Sequence, residues 1–140
     1  MVIRYAHPED HDAAVQLWAS VGFPTMSDDE WEVIVRSQTT FALVAEEAGQ
    51  LIGAALATFD GWRAFLYHVA TDEAFRGQGV AKALMAEAEA RVAAVGAHYL
   101  YALVHEENAA GLALATVMGF EPEGDLVLVK DLVEDDPAAG

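Results

Sequence analysis

The chain has 140 residues, no cysteine, and 23 acidic against seven basic side chains, which gives a formal net charge of -16. This length suits one domain with a real hydrophobic core, and without cysteine neither disulfides nor thiolate catalysis is possible. The charge repels a nucleic-acid backbone, and no apolar run approaches the ~18 residues that would indicate a membrane helix. Neither nucleic acid nor a membrane is therefore an expected partner.

The first half of the chain is predicted to begin with a short strand and two helices. Val2 to Tyr5 has the composition of an edge strand and lacks the charged and apolar regions of a signal peptide. Together with the absence of cysteine, this predicts a cytoplasmic protein. The first helix opens at Pro8-Glu9-Asp10 and ends at Gly22. The second follows Ser27-Asp28-Asp29-Glu30, whose Ser-x-x-Glu form is a capping box.

Three strands are predicted to follow as an antiparallel meander. The first two, Phe41–Glu46 and Leu51–Phe59, flank a tight turn at Ala48-Gly49-Gln50 and form a hairpin. Asp60-Gly61 is a second turn signal, after which Phe65–Thr71 forms the third strand.

The second half alternates helices with strands. Its predicted elements are a helix from about Val80 to Val95, a strand His98–Val104, a helix Asn108–Met118 and a strand Leu126–Lys130. A meander followed by alternating elements is a mixed sheet, so the fold class is α/β or α+β. We expect residues 1–133 to form a single domain and residues 134–140 to be a disordered acidic tail.

The turn Arg76-Gly77-Gln78-Gly79-Val80-Ala81 is the most informative feature of the chain. It follows an apolar strand and opens a helix, and its two glycines let the backbone turn several N–H groups toward one point. The positive end of the helix dipole adds to them. This combination predicts a phosphate-binding site in a chain whose overall charge otherwise repels phosphate.

Two familiar phosphate-binding motifs do not match this turn. A P-loop needs Ser or Thr after its lysine, and Ala83 follows Lys82 here. A dinucleotide-binding turn needs a third glycine where Lys82 stands and follows its strand directly, whereas Asp72 to Phe75 intervene. Both alternatives are therefore rejected.

The Arg-x-x-Gly-x-Ala pattern instead resembles the acyl-CoA pyrophosphate loop of the GNAT family of N-acetyltransferases. A second family motif stands at the expected separation, with Asn108 followed eleven and twelve residues later by Gly119-Phe120. The turn Phe59-Asp60-Gly61-Trp62-Arg63 further resembles a small stand-alone bacterial branch of the family. The resemblance covers nearly the whole chain. It implies the acyl-CoA N-acyltransferase fold, a mixed and mostly antiparallel sheet flanked by about four helices.

The resemblance implies acetyl-CoA as cosubstrate and assigns residues to it. The strand end is expected to hydrogen-bond the pantetheine arm as an added strand would, through Val69, Ala70 and Thr71. The pyrophosphate is expected to bind the N–H groups of Arg76, Gly77, Gln78, Gly79, Val80 and Ala81, with positive charge from Arg76 and Lys82. Asn108 either contacts the pantetheine or only caps its own helix, since Asn strongly favours that position.

The catalytic residues are less well defined, because the chain departs from the family pattern. Many members carry a tyrosine, as general acid, seven residues after the asparagine, and Ala115 occupies that position here. Tyr101 and its neighbour Tyr99 are possible replacements, or they fill the core or its edge. For a general base, His68 is the first candidate and His105 the second, because histidine titrates near neutral pH. His68 is alternatively a packed or solvent-facing histidine of the sheet.

The predicted function is transfer of an acetyl group from acetyl-CoA to an amine by direct attack in a ternary complex. Because the thioester is already activated, positioning and backbone N–H polarisation provide much of the rate, so loss of the tyrosine need not abolish turnover. The alternative, suggested by Ala115, is a non-catalytic acyl-CoA-binding sensor or partner module. No metal is expected, the acceptor amine stays open, and either a monomer or a homodimer is compatible with the sequence.

Overall fold

A computed structural model of the chain describes residues 1–133 and shows one five-stranded sheet in the order β1-β2-β3-β4-β5. The first four strands are antiparallel neighbours, and β5 runs parallel to β4. The strands are β1 Val2–Tyr5, β2 Thr40–Glu47, β3 Gln50–Phe59, β4 Arg63–Thr71 and β5 Tyr99–Ala102. The helices are α1 His11–Ser20, α2 Asp28–Arg36, α3 Val80–Ala94 and α4 Ala109–Val117, with 3-10 turns at Pro8–Asp10 and Glu73–Phe75.

The predicted mixed sheet with four helices is confirmed, but one predicted strand is wrong. Leu126–Lys130 has no regular secondary structure, and Leu126 and Val129 are 85% and 92% exposed. Among the described residues this segment has no backbone partner to complete a ladder. The residue types of this segment favour a β-strand, but a strand also needs a neighbouring strand to pair with, and local composition does not provide one. The predicted tail at 134–140 lies outside the described residues.

Two apolar layers sandwich the sheet. On one face α3 packs on the central strands, and Leu114 and Met118 of the α4 region join the same cluster. On the other face α1 packs on β3 and β4, and α2 packs on β2. Within residues 1–133, no helix is long and apolar enough to cross a bilayer.

Gly53 sets how closely α3 approaches the sheet. A Cβ atom built on Gly53 would lie 2.7 Å from Val80 Cγ1 and 2.9 Å from Leu84 Cδ1. Both distances are shorter than real carbon contacts allow, so a side chain at Gly53 would force Val80 and Leu84, or the start of α3, to move. Glycine at position 53 thus permits the beginning of α3 to pack closely on β3.

Two tryptophans tie the helices of the opposite face to the sheet. The rings of Trp18 in α1 and Trp31 in α2 meet edge to face, with centroids 5.9 Å apart. The Trp18 indole N–H donates to the His68 carbonyl in β4 at 2.7 Å, and the Trp31 indole N–H donates to the His7 carbonyl at 3.1 Å. These hydrogen bonds satisfy the polar atom of each buried ring.

His11 lies between the beginnings of α1 and α2 and is half-buried. Its Nε2 is 2.9 Å from the Met26 carbonyl, and its Nδ1 is 2.9 Å from a carboxylate oxygen of both Asp12 and Asp28. The Met26 hydrogen bond, the Asp12 hydrogen bond and the two negative charges raise the pKa of His11 against the opposing effect of desolvation. The ligand atoms of this group lie within 4.8 Å of one another, a spacing that exposed acidic groups commonly have without an ion.

The raised pKa of His11 predicts that this histidine stabilises the fold only at low pH. Its contribution is fully present below the unfolded pKa of about 6.5 and is lost as pH rises through the folded value. We expect His11→Gln to lower the free energy of unfolding in urea more at pH 5.5 than at pH 8.5. The same substitution at the exposed His98 serves as the control for replacing a histidine by glutamine. An equal loss for His11→Gln at both pH values would contradict the assignment.

Candidate active site

The sheet forks between β4 and β5. The two strands pair only over Arg63–Leu66 and Tyr99–Ala102, and the last ladder contact is the Leu103 N–H donating to the Leu66 carbonyl at 2.9 Å. β4 continues to Thr71, and past Leu66 its β5-side edge has no strand beside it in the described structure. The result is an open strand edge that an extended ligand could pair with.

The direction of the backbone groups along this open edge follows from the pairing with β3. The Asp72 N–H donates to the Ile52 carbonyl at 2.8 Å, and Ala70 lies opposite Ala54. Because successive residues of a strand point their backbone groups to opposite sides, Ala70 faces β3. Val69 and Thr71 then direct their N–H and C=O groups to the open edge.

A β-bulge at His68 accompanies the fork. Tyr67 lies opposite Leu56 and Ala70 opposite Ala54, so two residues of β4 face the single residue Ala55 of β3. His68 has a φ of 55°, a left-handed conformation that is uncommon for a residue other than glycine. Such bulges bend a strand and re-aim its side chains, and strained residues of this kind cluster at functional sites.

The surroundings of His68 hold its ring in one orientation. The ring centroid lies 5.0 Å from that of Phe23 and 5.3 Å from that of Trp18. Its Nε2 is 2.9 Å from the Pro24 carbonyl in the loop between α1 and α2. Because a carbonyl oxygen only accepts, Nε2 carries a proton in this hydrogen bond. These contacts orient the His68 ring at the bulge.

The glycine turn has the geometry of an anion-binding loop. Gly77 and Gly79 have φ values of 77° and 82°, and Gly79 caps α3. No atom lies within 4 Å of a Cβ built on either residue, so glycine is required there by conformation and not by space. No backbone or side-chain acceptor in residues 1–133 takes the N–H groups from Gly77 to Lys82. The first turn of α3 carries no acidic residue.

Two basic side chains lie at this loop. Arg76 and Lys82 are exposed and form no ion pair with any described residue. Arg4, Arg36 and Arg91, by contrast, are held by carboxylates at 2.7 to 2.9 Å. Unpaired positive charge therefore lies at a turn with backbone N–H groups that have no acceptor in residues 1–133.

The beginning of α4 is closed on itself. The Asn108 side-chain oxygen accepts the Gly111 N–H at 2.9 Å, and a Cβ on Gly111 would lie 2.5 Å from Asn108 Nδ2. The sequence left two roles open for Asn108, contact with the pantetheine or capping of its own helix, and its hydrogen bond here is that of a helix cap. Ala115 is 6% exposed and packed, so α4 presents no proton donor at the expected tyrosine position.

Of the other two candidate catalytic residues, Tyr101 lies in β5 and His105 lies after it. The Tyr101 ring stacks on Phe65 with centroids 5.2 Å apart, in the paired part of β4 and β5. His105 lies beyond the end of β5, is exposed, and accepts the Glu107 N–H through Nδ1 at 3.1 Å. His105 Nδ1 therefore has a hydrogen-bond partner, whereas His68 Nδ1 has none among the described residues.

Sequence reasoning missed three contributors to this site. Phe23 and Pro24 contact His68 from the loop between α1 and α2. Pro24 and His68 are 44 positions apart in the sequence. Gly53 admits the start of α3 from a neighbouring strand. The periodicity of each segment carried no signal for them, because each acts through a contact distant in sequence.

Comparison with known proteins gives a consistent result. The acetyltransferase (GNAT) family matches residues 5–120. An acetyltransferase of Pectobacterium atrosepticum is 28% identical over 138 residues, which is 96% of this chain and 98% of the relative.

Solved structures share the fold at low sequence identity. A Bacillus halodurans protein named as a transcriptional regulator superposes with a TM-score of 0.84 at 21% identity, over 93% of this chain and 99% of that one. The aminoglycoside 6'-N-acetyltransferase AAC(6')-IG of Acinetobacter haemolyticus gives 0.78 at 18%, over 96% and 100%. AAC(6')-Iy, solved in complex with CoA, gives 0.78 at 20%, over 94% and 100%.

The family match spans most of the chain, and the sheet, the glycine turn and the helix order agree with it. The chain has the acyl-CoA N-acyltransferase fold and belongs to the GNAT family of acetyltransferases.

Proposed function

We propose that the chain transfers an acetyl group from acetyl-CoA to the amine of a small molecule or peptide by direct attack in a ternary complex. The observation that carries this proposal is the continuity of the fork with the glycine turn. An open strand edge leads directly into a loop of unpaired N–H groups flanked by two free cations. The open strand edge suits the amide groups of pantetheine, and the loop suits the pyrophosphate that follows pantetheine in CoA.

The residues at the fork fit acetyl-CoA in a defined way. Val69 and Thr71 present backbone groups to the pantetheine amides, while Ala70 shapes the strand between them. The N–H groups of Gly77 to Lys82 face the pyrophosphate, and Arg76 and Lys82 neutralise its charge. Asn108 contributes by holding the start of α4.

His68 is proposed as the general base. The amine nitrogen bonds to the acetyl carbon, the carbon–sulfur bond breaks, and the proton lost by the amine goes to His68 Nδ1, directly or through water. The Val69 or Thr71 N–H polarises the thioester carbonyl as an oxyanion-type donor. With Ala115 in place of a tyrosine, the departing thiolate takes its proton from water, or from Tyr101 if that hydroxyl reaches it.

The second candidate function is a non-catalytic acyl-CoA-binding sensor, which Ala115 favours. In that case the fork and the glycine turn bind the same ligand, and no amine is acetylated. The two proposals differ only in turnover, so a single assay separates them.

Turnover is measured as release of free thiol from acetyl-CoA in the presence of amines. The set comprises peptide N-termini, lysine side chains, polyamines, amino acids and aminoglycosides. We expect thiol release with at least one amine, accompanied by an equal amount of acetylated amine in the mass spectrum. Binding of acetyl-CoA without thiol release from any of these amines would support the sensor and contradict the transferase.

The glycine turn is tested by Gly79→Val with Gly49→Val as its matched control. Both glycines have φ values near 80°, at 82° and 81°, and neither has an atom within 4 Å of a built Cβ. The backbone strain introduced is therefore comparable, but only Gly79 lies at the proposed pyrophosphate site. We expect Gly79→Val to weaken CoA binding at least about tenfold by calorimetry and Gly49→Val to leave it unchanged. Equal affinities in two folded variants would rule out this loop as the CoA site.

The role of His68 is tested by His68→Asn, because asparagine tolerates the left-handed backbone that this position needs. We expect kcat/KM to fall roughly 10²-fold, with CoA affinity retained. The matched variant His105→Asn should keep the rate. A full rate in His68→Asn together with a loss in His105→Asn would transfer the role to His105.

A further inference from the structure

An aromatic surface at the paired ends of β4 and β5 lies outside both apolar layers. Four side chains form it and are here called the aromatic strip: Trp62, Phe65, Tyr99 and Tyr101. Phe65 and Tyr101 belong to neither core cluster, and Trp62 and Tyr99 are 52% and 57% exposed. The Phe65 and Tyr101 rings stack at 5.2 Å, and Trp62 meets Tyr99 edge to face at 6.4 Å between centroids. Contiguous exposed surface of this kind marks an interaction site.

The turn before β4 holds one end of the strip in place. The Asp60 Oδ1 atom accepts the N–H of Trp62 at 2.8 Å and the N–H of Arg63 at 2.7 Å. The Trp62 carbonyl accepts the N–H of His98 at 3.0 Å, just before β5. The turn is therefore bonded to the start of both strands, and it sets the position of the Arg63 side chain.

The Arg63 guanidinium lies on the aromatic strip without an anionic partner. Its Cζ atom is 4.7 Å from the centroid of the Trp62 ring and 5.7 Å from that of Tyr101. It forms no ion pair with any described residue, and the Asp60 carboxylate is held by backbone N–H groups. A guanidinium that stacks on rings through its face keeps the N–H donors of its edge for another group. Such donors recognise a carboxylate through two parallel hydrogen bonds.

Arg63 and His68 lie on the same face of the sheet. Because side chains alternate along a strand, Arg63, Phe65 and Tyr67 share one face, and Tyr67 packs on the cluster beneath α1 and α2. His68 joins this face, since its ring contacts that of Trp18 in α1. The helices cover the face at Tyr67 and leave Arg63 exposed. The proposed general base and the unpaired guanidinium thus lie at two ends of one accessible face.

The span between the two groups follows from strand geometry. Arg63 and His68 are five positions apart, which is about 16 Å at the usual rise of a strand. The guanidinium lies over Tyr101, whose register partner Phe65 is three positions from His68, or about 10 Å. A ligand that reaches both groups therefore needs its ends about 10 to 16 Å apart. An extended peptide covers that length with about three to five residues.

We propose that Arg63 binds the carboxylate of the acceptor, and that the acceptor is a short peptide whose N-terminal amine reaches His68. This inference rests on the proposed function. A chain with a net charge of -16 disfavours anions over most of its surface, so an unpaired arginine beside the site gives a carboxylate one place to bind. The same charge repels a purely cationic acceptor such as a polyamine. The aromatic strip packs against the apolar side chains of the peptide.

The carboxylate is tested by comparing each peptide with its C-terminal amide. The probes are alanine tetrapeptides with one phenylalanine, and the measurement is thiol release from acetyl-CoA. We expect the wild type to use the free acid with a kcat/KM at least about tenfold higher than the amide, and Arg63→Gln to lose this preference. Arg36→Gln removes the same charge from an exposed arginine on α2 and should keep it. Equal use of acid and amide by the wild type, or a preference that survives Arg63→Gln, would overturn the proposal.

The ratio of acid to amide also separates recognition from a structural role of Arg63. A structural role would lower the turnover of both peptides by the same factor, and that result would likewise overturn the proposal. CoA affinity, measured by calorimetry, should be the same in the wild type and in Arg63→Gln, because Arg63 lies at the opposite end of β4 from the glycine turn.

Peptide length tests the span. In a series of free-acid peptides of two to six residues, we expect the highest kcat/KM at about three to five residues. A dipeptide reaches at most about 7 Å, so best use of dipeptides would contradict the placement of the carboxylate on Arg63.

This proposal and the transferase proposal can fail separately. Thiol release with polyamines but with no peptide would leave the transferase standing and remove the peptide acceptor. If no amine releases thiol, the same acid and amide peptides are titrated into the CoA-bound protein by calorimetry. Tighter binding of the acid that is lost in Arg63→Gln would support the carboxylate site without the transferase, whereas equal affinities or no binding would overturn it.

Discussion

The parting of β4 from β5 after Leu66 is the constraint on which the rest of the site depends. If the two strands stayed paired, the backbone groups of Val69 and Thr71 would be used within the sheet. The bulge at His68 accompanies the parting, and the Trp18 indole fixes it by binding the His68 carbonyl. The strained backbone of His68 thus accompanies the open edge of β4, and the packed tryptophans of α1 and α2 stabilise this arrangement.

The glycine turn differs in its electrostatics from the rest of the chain. A molecule with a net charge of -16 repels anions over most of its surface. At the turn, backbone N–H groups lie at the positive end of the α3 dipole, and Arg76 and Lys82 remain unpaired among the described residues, whereas Arg4, Arg36 and Arg91 are paired with carboxylates. Because Gly53 lets α3 start directly over β3, this local positive region lies at the end of the open edge.

Much of the fold could be predicted, and the failures have a common cause. The helices, the hairpin and the glycine turn follow from local periodicity and turn residues, which act within a few positions. The strand predicted at Leu126–Lys130 was wrong, because β structure needs a partner that its own residues do not specify. For Asn108 the sequence left two roles open, and the observed hydrogen bond to Gly111 is that of a helix cap.

The amino-acid sequence by itself determined the family, the position of the glycine turn and the absence of a tyrosine at Ala115, because each depends on residue type at fixed spacing. Tertiary structure alone decided where β4 and β5 separate, that His68 adopts a left-handed conformation, and that the Pro24 carbonyl binds its Nε2. Those features arise from contacts between segments far apart in the chain. Their geometry is set by packing of the tryptophans and the sheet, and no local pattern encodes it.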